Sequence, residues 1–433
     1  MGTGLKPVAK GRIYGIRRFI ALGMCLCMSL ALFCGCTGKE DDNANDTDVS
    51  VSTDSQSGDD DSKVAVNEGD MITIGFAQVG AESDWRIAST ASIEEAFSLQ
   101  NGYHLIYEDG QQRQENQTKA IREFIDQGVD YIILDPIVEN GWEASLEEAR
   151  DAGIPVIVVD RRIAVEDESL YTAWVGADFM LEGRRACQWL SDYLTEQYAI
   201  KASEDAGENY TGPEGNGVSE EGEADDQEGF AEDAEPEETN EPMIPLQQIG
   251  IVDIQGTLGA TAQIGRTNAL LEAVEEHPEW TLLAADTGDY VQAKGREVAE
   301  SMLREYGDAI NVMYCENDNM AYGAIEAIRA SGRHPGPDIL NGDILVISFD
   351  ATHQGLEETL AGTIAMNVEC TPDYGPRLSQ MIQTLEQGGQ LEKEAYVKEE
   401  QFSGIHDVHL VRVEQTNYKI TFLTDEIIEE RTY

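Results

Sequence analysis

The sequence predicts an α/β protein built as two lobes with parallel sheets facing each other across a cleft. Three observations carry this. Apolar runs of about five residues alternate with helical patterns of about ten to fourteen, the rhythm of parallel strands joined by right-handed crossovers. The alternation occurs in two similar series, which implies two lobes. Polar and aromatic residues collect just after the strand-like runs, where ligands sit in open α/β sheets because the loops there line a crevice.

In the first series, Ile72 to Ala77 is a strand, Ile87 to Gln100 a helix and His104 to Glu108 a strand. Gln114 to Gln127 is a helix closed by Gly128, Tyr131 to Leu134 a strand, and Trp142 to Ala152 a helix closed by Gly153. Pro155 to Val159 is a strand ending in Asp160-Arg161, followed by the short strand Tyr171 to Val175 and the helix Asp178 to Leu194. Composition then breaks: residues 204–241 hold sixteen Asp or Glu, no Lys or Arg, and repeated Gly. Such a block repels itself and stays solvated, so residues 201–243 are expected to be a disordered acidic insertion in a folded lobe. It lacks the spacing of a calcium loop.

The second series opens with the strand Gln248 to Ile254, the loop Gln255 to Thr261 and the helix Ala262 to Glu276. Gly256 and Gly259 do not make a phosphate loop, since no Gly-Lys-Ser/Thr follows. Strands at Leu282 to Asp286, Val312 to Cys315 and Ile344 to Phe349 alternate with helices at Val291 to Glu305 and Met320 to Ala330. Gly362 to Glu369 is a further strand, Thr371 to Gln387 a helix opened by Pro372, and a β-rich tail begins at Tyr396.

Charge and leader bound the function classes. The 433 residues carry a net charge of −54, which argues against nucleic acid as a partner. A hydrophobic share of 41% and a mean hydropathy of −0.36 fit a globular protein with polar additions. Lys6, Lys10, Arg12, Arg17 and Arg18 precede the apolar run 19–33 and then Cys34-Gly35-Cys36, the layout of an export signal. The segment resembles a bacterial lipoprotein signal with Cys36 as the lipidated residue; lipidation at Cys34, ordinary cleavage or an uncleaved anchor helix are the alternatives. Residues 37–69 are almost without apolar side chains and are expected to form a disordered tether. Cys187, Cys315 and Cys370 lie far apart without metal-ligand spacing.

Seven residues at expected strand ends suit a ligand rich in hydroxyls: Trp85, Arg86, Asp160, Arg161, Arg266, Asn317 and Asp350. An aromatic ring covers the C–H face of a sugar, while Asp and Arg give charge-assisted bonds to its hydroxyls. The bland account of each is a core Trp or a surface ion pair. A retaining glycosidase needs two carboxyls about 5 Å apart, and Asp160 with Asp350 is the available pair. Neighbouring Arg residues would lower those carboxyl pKa values and remove the acid function, so catalysis is disfavoured.

The run from about Met71 to Gln387 resembles the periplasmic sugar-binding proteins of ABC importers, the ribose-binding-like family, and most of all its galactofuranose-binding branch. GFAQVGAESDWRIA, EDGQQRQENQTKAIREFIDQGVDYIILDPIVENGWE, IPVIVVDRRI, GADFMLEGR, QGTLGATAQIGR, ENDNMAYGAIEAI, ISFDAT and VECTPDYGP carry the resemblance. It implies a type I periplasmic binding protein fold: two Rossmann-like lobes joined by a three-segment hinge. The first lobe would take residues 70–176 and 369–389, and the second residues 177–368 and 390–433. It further implies that Trp85 stacks on a sugar whose hydroxyls meet Arg86, Asp160, Arg161, Arg266, Asn317 and Asp350, with Ser83 in the closing loop and Glu369 at the last family site. The implied activity is capture of a monosaccharide, galactofuranose-like, for an ABC permease by a lipid-anchored monomer on the outer face of the membrane. No enzyme activity and no cofactor or metal are implied; presentation of the sugar to a sensor kinase or chemoreceptor is the alternative. Strand-end residues contribute little to a core, so Trp85→Ala and Arg161→Ala are expected to stay folded.

Overall fold

The computed structural model describes residues 71–207 and 248–433. Residues 1–70, with the expected signal, Cys36 and the tether, and most of the acidic block lie outside the described residues.

The first sheet has six parallel strands in the order β11-β5-β4-β3-β1-β2, formed by β1 (Ile72–Gln78), β2 (Tyr103–Asp109), β3 (Tyr131–Leu134), β4 (Val156–Val159), β5 (Ala173–Gly176) and β11 (Glu394–Tyr396). In register, Ile74 faces Tyr131 and Ile157 faces Ala173. Because side chains alternate along a strand, Ile74, Phe76, Ile133 and Ile157 enter one core while Ala77, Ile132, Leu134 and Val158 enter the other. The first core is covered by α1 (Asp84–Ala96) and α9 (Gly375–Glu386), the second by α2 (Gln114–Gln127) and α3 (Glu143–Asp151).

The second sheet has seven strands in the order β15-β12-β10-β9-β8-β6-β7. They are β6 (Ile249–Gln255), β7 (Trp280–Thr287), β8 (Val312–Cys315), β9 (Leu345–Asp350), β10 (Met366–Glu369), β12 (Gln401–Ser403) and β15 (Thr421–Phe422), with β10 and β12 antiparallel. Its helices are α4 (Phe179–Ala206), α5 (Thr261–Glu276), α6 (Gln292–Tyr306), α7 (Asp318–Ala330) and α8 (His353–Leu360). A hairpin of β13 (Leu410–Val413) and β14 (Thr416–Lys419) and the short α10 (Asp425–Glu430) complete the lobe. Among the described residues the chain crosses between the sheets three times, after β5, β10 and β11, which is the hinge.

Local chemistry moved several boundaries. Helix α1 begins at Asp84, not Ile87, because the Ser83 hydroxyl accepts the Arg86 N–H and caps it. Helix α4 continues to Ala206, past Leu194 and past the expected start of the insertion at 201. Nothing in residues 195–206 breaks it, Tyr198 is buried, Lys201 pairs with Asp205, and Gly207 closes it at φ 72°. Helix α9 starts at Gly375 with Pro376 in its first turn, so Pro372 lies in the hinge rather than opening the helix. The assignment of everything from 390 onward to the second lobe is also corrected. Glu394–Tyr396 adds to the edge of the first sheet beside β5, held by the Arg162 guanidinium, which bonds Glu394 at 2.6 Å and lies 3.7 Å from the Trp174 ring.

Candidate functional site

The carboxyl ends of both sheets meet over a narrow cavity of about 20 Å³. The first lobe lines it with Glu82, Ser83, Trp85, Arg86, Asp160 and Arg161. Phe179, Ala262, Arg266, Tyr290, Asn317 and Asp350 come from the second lobe, and Cys370 comes from the hinge.

Eight of the nine sequence-predicted residues are therefore brought together: Ser83, Trp85, Arg86, Asp160, Arg161, Arg266, Asn317 and Asp350. Glu369 is the correction. Its carboxylate faces the C-terminus, where it accepts from Arg431 at 2.5 Å, from the Tyr433 hydroxyl at 2.7 Å and from the Glu400 N–H at 2.8 Å. The side chain of a strand residue alternates from face to face, so one step in register sends Glu369 away and brings Cys370 to the cavity.

In the first lobe Arg86 is the hub. Its guanidinium bonds Glu82 and Asp160, both at 3.1 Å, and also Asp135 just beyond β3. Burial alone would lower the Arg86 pKa, but Asp135, Glu82 and Asp160 hold it well above the usual value. Burial also pushes the Asp135 carboxyl well up, with Arg86 pulling the other way. Arg161 donates to the Ile137 carbonyl at 3.1 Å and lies 5.2 Å from the Tyr290 ring. The Trp85 indole N–H donates to the Cys370 carbonyl, and its ring meets Tyr374 edge-on at 6.3 Å.

The second lobe repeats the plan. Arg266 in α5 bonds Glu182 at 2.8 Å, donates to the Glu316 carbonyl and approaches Asp350 at 3.7 Å. Burial pushes Asp350 well above the usual carboxylate range and outweighs Arg266, which corrects the expectation that its Arg neighbour would lower it. Asn317 caps α7 through the Met320 N–H and donates to the Tyr290 carbonyl at 3.4 Å. Asp160 and Asp350, each at the end of its strand, both hold left-handed backbone, at φ 61° and 101°. Such strain costs on the order of 1–3 kcal/mol per residue and gathers at functional sites.

Two features define what the cavity can hold. Arg86, Arg161 and Arg266 are matched within the site by Glu82, Asp135, Asp160, Glu182 and Asp350, so no positive charge is left over for an anion. The buried Glu82 Oε2 and Arg161 Nε have no protein hydrogen bond, although both residues line the cavity. A buried acceptor and a buried donor left unpaired call for a ligand that supplies both functions, as a hydroxyl does.

Sequence reasoning missed Glu82, Phe179, Ala262, Tyr290 and Cys370. Tyr290 was within reach of the strand-end rule, since only Gly288 and Asp289 separate it from β7; its φ of 63° and its contact with the backbone of Gly256, where a Cβ would fall 1.9 Å from the ring, were not.

Behind the cavity, Asp253 in β6 is wholly buried and neither carboxylate oxygen has a hydrogen bond among the described residues. Burial pushes its carboxyl from 3.8 up to about 7. The folded state thus favours the protonated acid: its contribution is full below the unfolded value and lost as pH rises through about 7. Asp253→Asn is expected to raise the melting temperature by a few degrees at pH 8 and to leave it unchanged at pH 4, as scanning calorimetry at the two pH values will show.

A model of the periplasmic binding protein domain matches residues 74–388. The chain belongs to the periplasmic binding protein family. The galactofuranose-binding protein YtfQ of Escherichia coli K12 is 34% identical over 325 residues, 74% of this chain and 85% of that protein. Among solved structures, one from Mycobacterium smegmatis in complex with β-D-fucofuranose is 34% identical at a TM-score of 0.61, covering 77% of this chain and 91% of that one. The binding component of an arabinose ABC transporter from Shewanella sp. ANA-3, bound to α- and β-L-arabinofuranose, is 31% identical at a TM-score of 0.60, covering 77% and 92%. The fold is the type I periplasmic binding protein fold, and YtfQ and the Shewanella protein are named as binding proteins, not enzymes.

Proposed function

We propose that this periplasmic binding protein captures a neutral monosaccharide in its furanose form between the two lobes and delivers it to an ABC permease. The observation that carries the reading is the cavity itself: a Trp85 wall, charge-balanced Arg and carboxylate groups on both sides, and the unpaired Glu82 Oε2 and Arg161 Nε. The absence of surplus positive charge disfavours sugar acids and phosphates. The furanose form is supported by the ligands named for relatives above 30% identity. The basic and apolar leader ending at Cys36 supports export and a lipid anchor at the outer face of the membrane.

A thermal-shift screen of pentoses and hexoses, including derivatives locked as furanosides and as pyranosides, tests this. A ligand at a hundred times its Kd adds about 2.7 kcal/mol of stability. Stabilisation by locked furanosides is expected. Stabilisation by pyranosides alone removes the furanose assignment, and no shift with any sugar removes the reading.

A further inference from the structure

Two helix N-termini from opposite lobes meet at the lip of the cleft. Asp84 is the first residue of α1, and its N–H is one of the four that a helix leaves without an internal partner. The acceptor comes from the other lobe, Asn319 Oδ1 at 3.2 Å. In return Asn319 Nδ2, in the first turn of α7, donates to Asp84 Oδ2 at 3.1 Å. The positive ends of two helix dipoles repel, and here the Asp84 carboxylate and the Asn319 carbonyl oxygen stand between them. Neither residue lines the cavity. Elsewhere along the cleft the lobes also touch through Glu139 N–H to the Gly259 carbonyl at 3.0 Å and Arg162 N–H to Thr261 Oγ1 at 2.9 Å.

We propose that Asp84 and Asn319 form a latch, made only when the lobes are shut, that sets ligand affinity from outside the cavity. The proposal rests on the reading that the cleft closes around a ligand. Affinity is scaled by the fraction of molecules in the binding-competent state, so a contact present only in the closed form raises affinity for every ligand by one factor. Cavity residues act differently, because each meets particular hydroxyls and shifts the ratios between ligands. Both latch residues are therefore positioning residues.

The test is a double-mutant cycle of Asp84→Ala and Asn319→Ala, read by calorimetry and stopped-flow with the best sugar from the screen and two of its deoxy derivatives. Each single variant should raise Kd about three- to tenfold, the range of one or two hydrogen bonds. The rise should lie in faster dissociation and be equal for all ligands, and the double variant should cost less than the sum of the singles. Asn319→Asp should be worse than Asn319→Ala, since it sets a carboxylate against Asp84 without a donor. An unchanged Kd, additive losses, or a loss confined to one ligand would overturn the latch.

Hydrogen exchange over residues 82–88 at saturating sugar, where the lobes are shut, is a second readout. Asn319→Ala should accelerate it there, because the Asp84 N–H loses its acceptor, whereas without sugar the variant and the wild type should exchange alike. Equal exchange at saturation rejects the latch. No sugar binding by the wild type removes the sugar reading and the latch that rests on it, whereas binding with equal exchange removes the latch alone.

Discussion

Arg86→Ala is expected to lower the stability of the whole protein by about 3–5 kcal/mol, the cost of breaking a buried ion pair by removing one partner. The guanidinium is 3% exposed and holds Glu82, Asp135 and Asp160 from the ends of three adjacent strands. Without it those carboxylates are buried without a cation nearer than Arg161, which stands 3.8 Å from Glu82 and 3.9 Å from Asp160. Asp135, already pushed up by burial with Arg86 as the main opposing influence, would rise further and take up a proton. The loss is therefore greatest at pH 8 and smaller at pH 5, where protonation neutralises part of the orphaned charge. Urea unfolding of wild type and variant at the two pH values measures it. A loss under 1 kcal/mol at pH 8 would mean that water reaches these carboxylates once Arg86 is gone. Arg86→Lys should recover little, because one ammonium cannot replace a planar fork that reaches several oxygens at fixed angles.

This result bears on what the sequence made legible. Strand ends were found because an apolar run followed by a polar pair has one meaning in a parallel sheet, and Asp160, Asn317 and Asp350 all sit at or just beyond such ends. What the residues around them do for stability was not legible. Burial depends on how two lobes meet, and no local pattern tells that Trp85 is 4% exposed or that Arg161 is 2% exposed. The expectation that strand-end variants leave the fold untouched followed from treating these positions as loop surface. Glu369 failed for a related reason: it and Cys370 are one step apart, and the Arg431 and Tyr433 partners that draw the Glu369 carboxylate away from the cleft lie more than sixty residues further along the chain. The tail was hardest to place, since β11 joins one sheet and β12 the other within a few residues, a choice made by edge vacancies far away in sequence.

Trp85→Ala is expected to cost both stability and affinity, and the two losses have different origins. Stability falls by about 3–5 kcal/mol, as for other large aromatic side chains removed from a core. The ring lies among buried residues of α1 and α9, meets Tyr374 edge-on with planes 70° apart, and carries the Arg86 guanidinium 4.5 Å from its centroid. Its indole N–H bonds the Cys370 carbonyl and so ties the first turn of α1 to the hinge segment after β10. Affinity for the sugar falls separately, by roughly 1–3 kcal/mol, through the lost stacking surface. Trp85→Phe separates the two. It keeps an aromatic face, so it should recover most of the affinity, but it leaves the Cys370 carbonyl without its donor and should remain less stable than wild type by about 1–3 kcal/mol. Calorimetric titration and urea unfolding of both variants decide the matter. If Trp85→Phe restores stability but not affinity, the indole N–H serves the ligand rather than the hinge, and the ring must turn on binding.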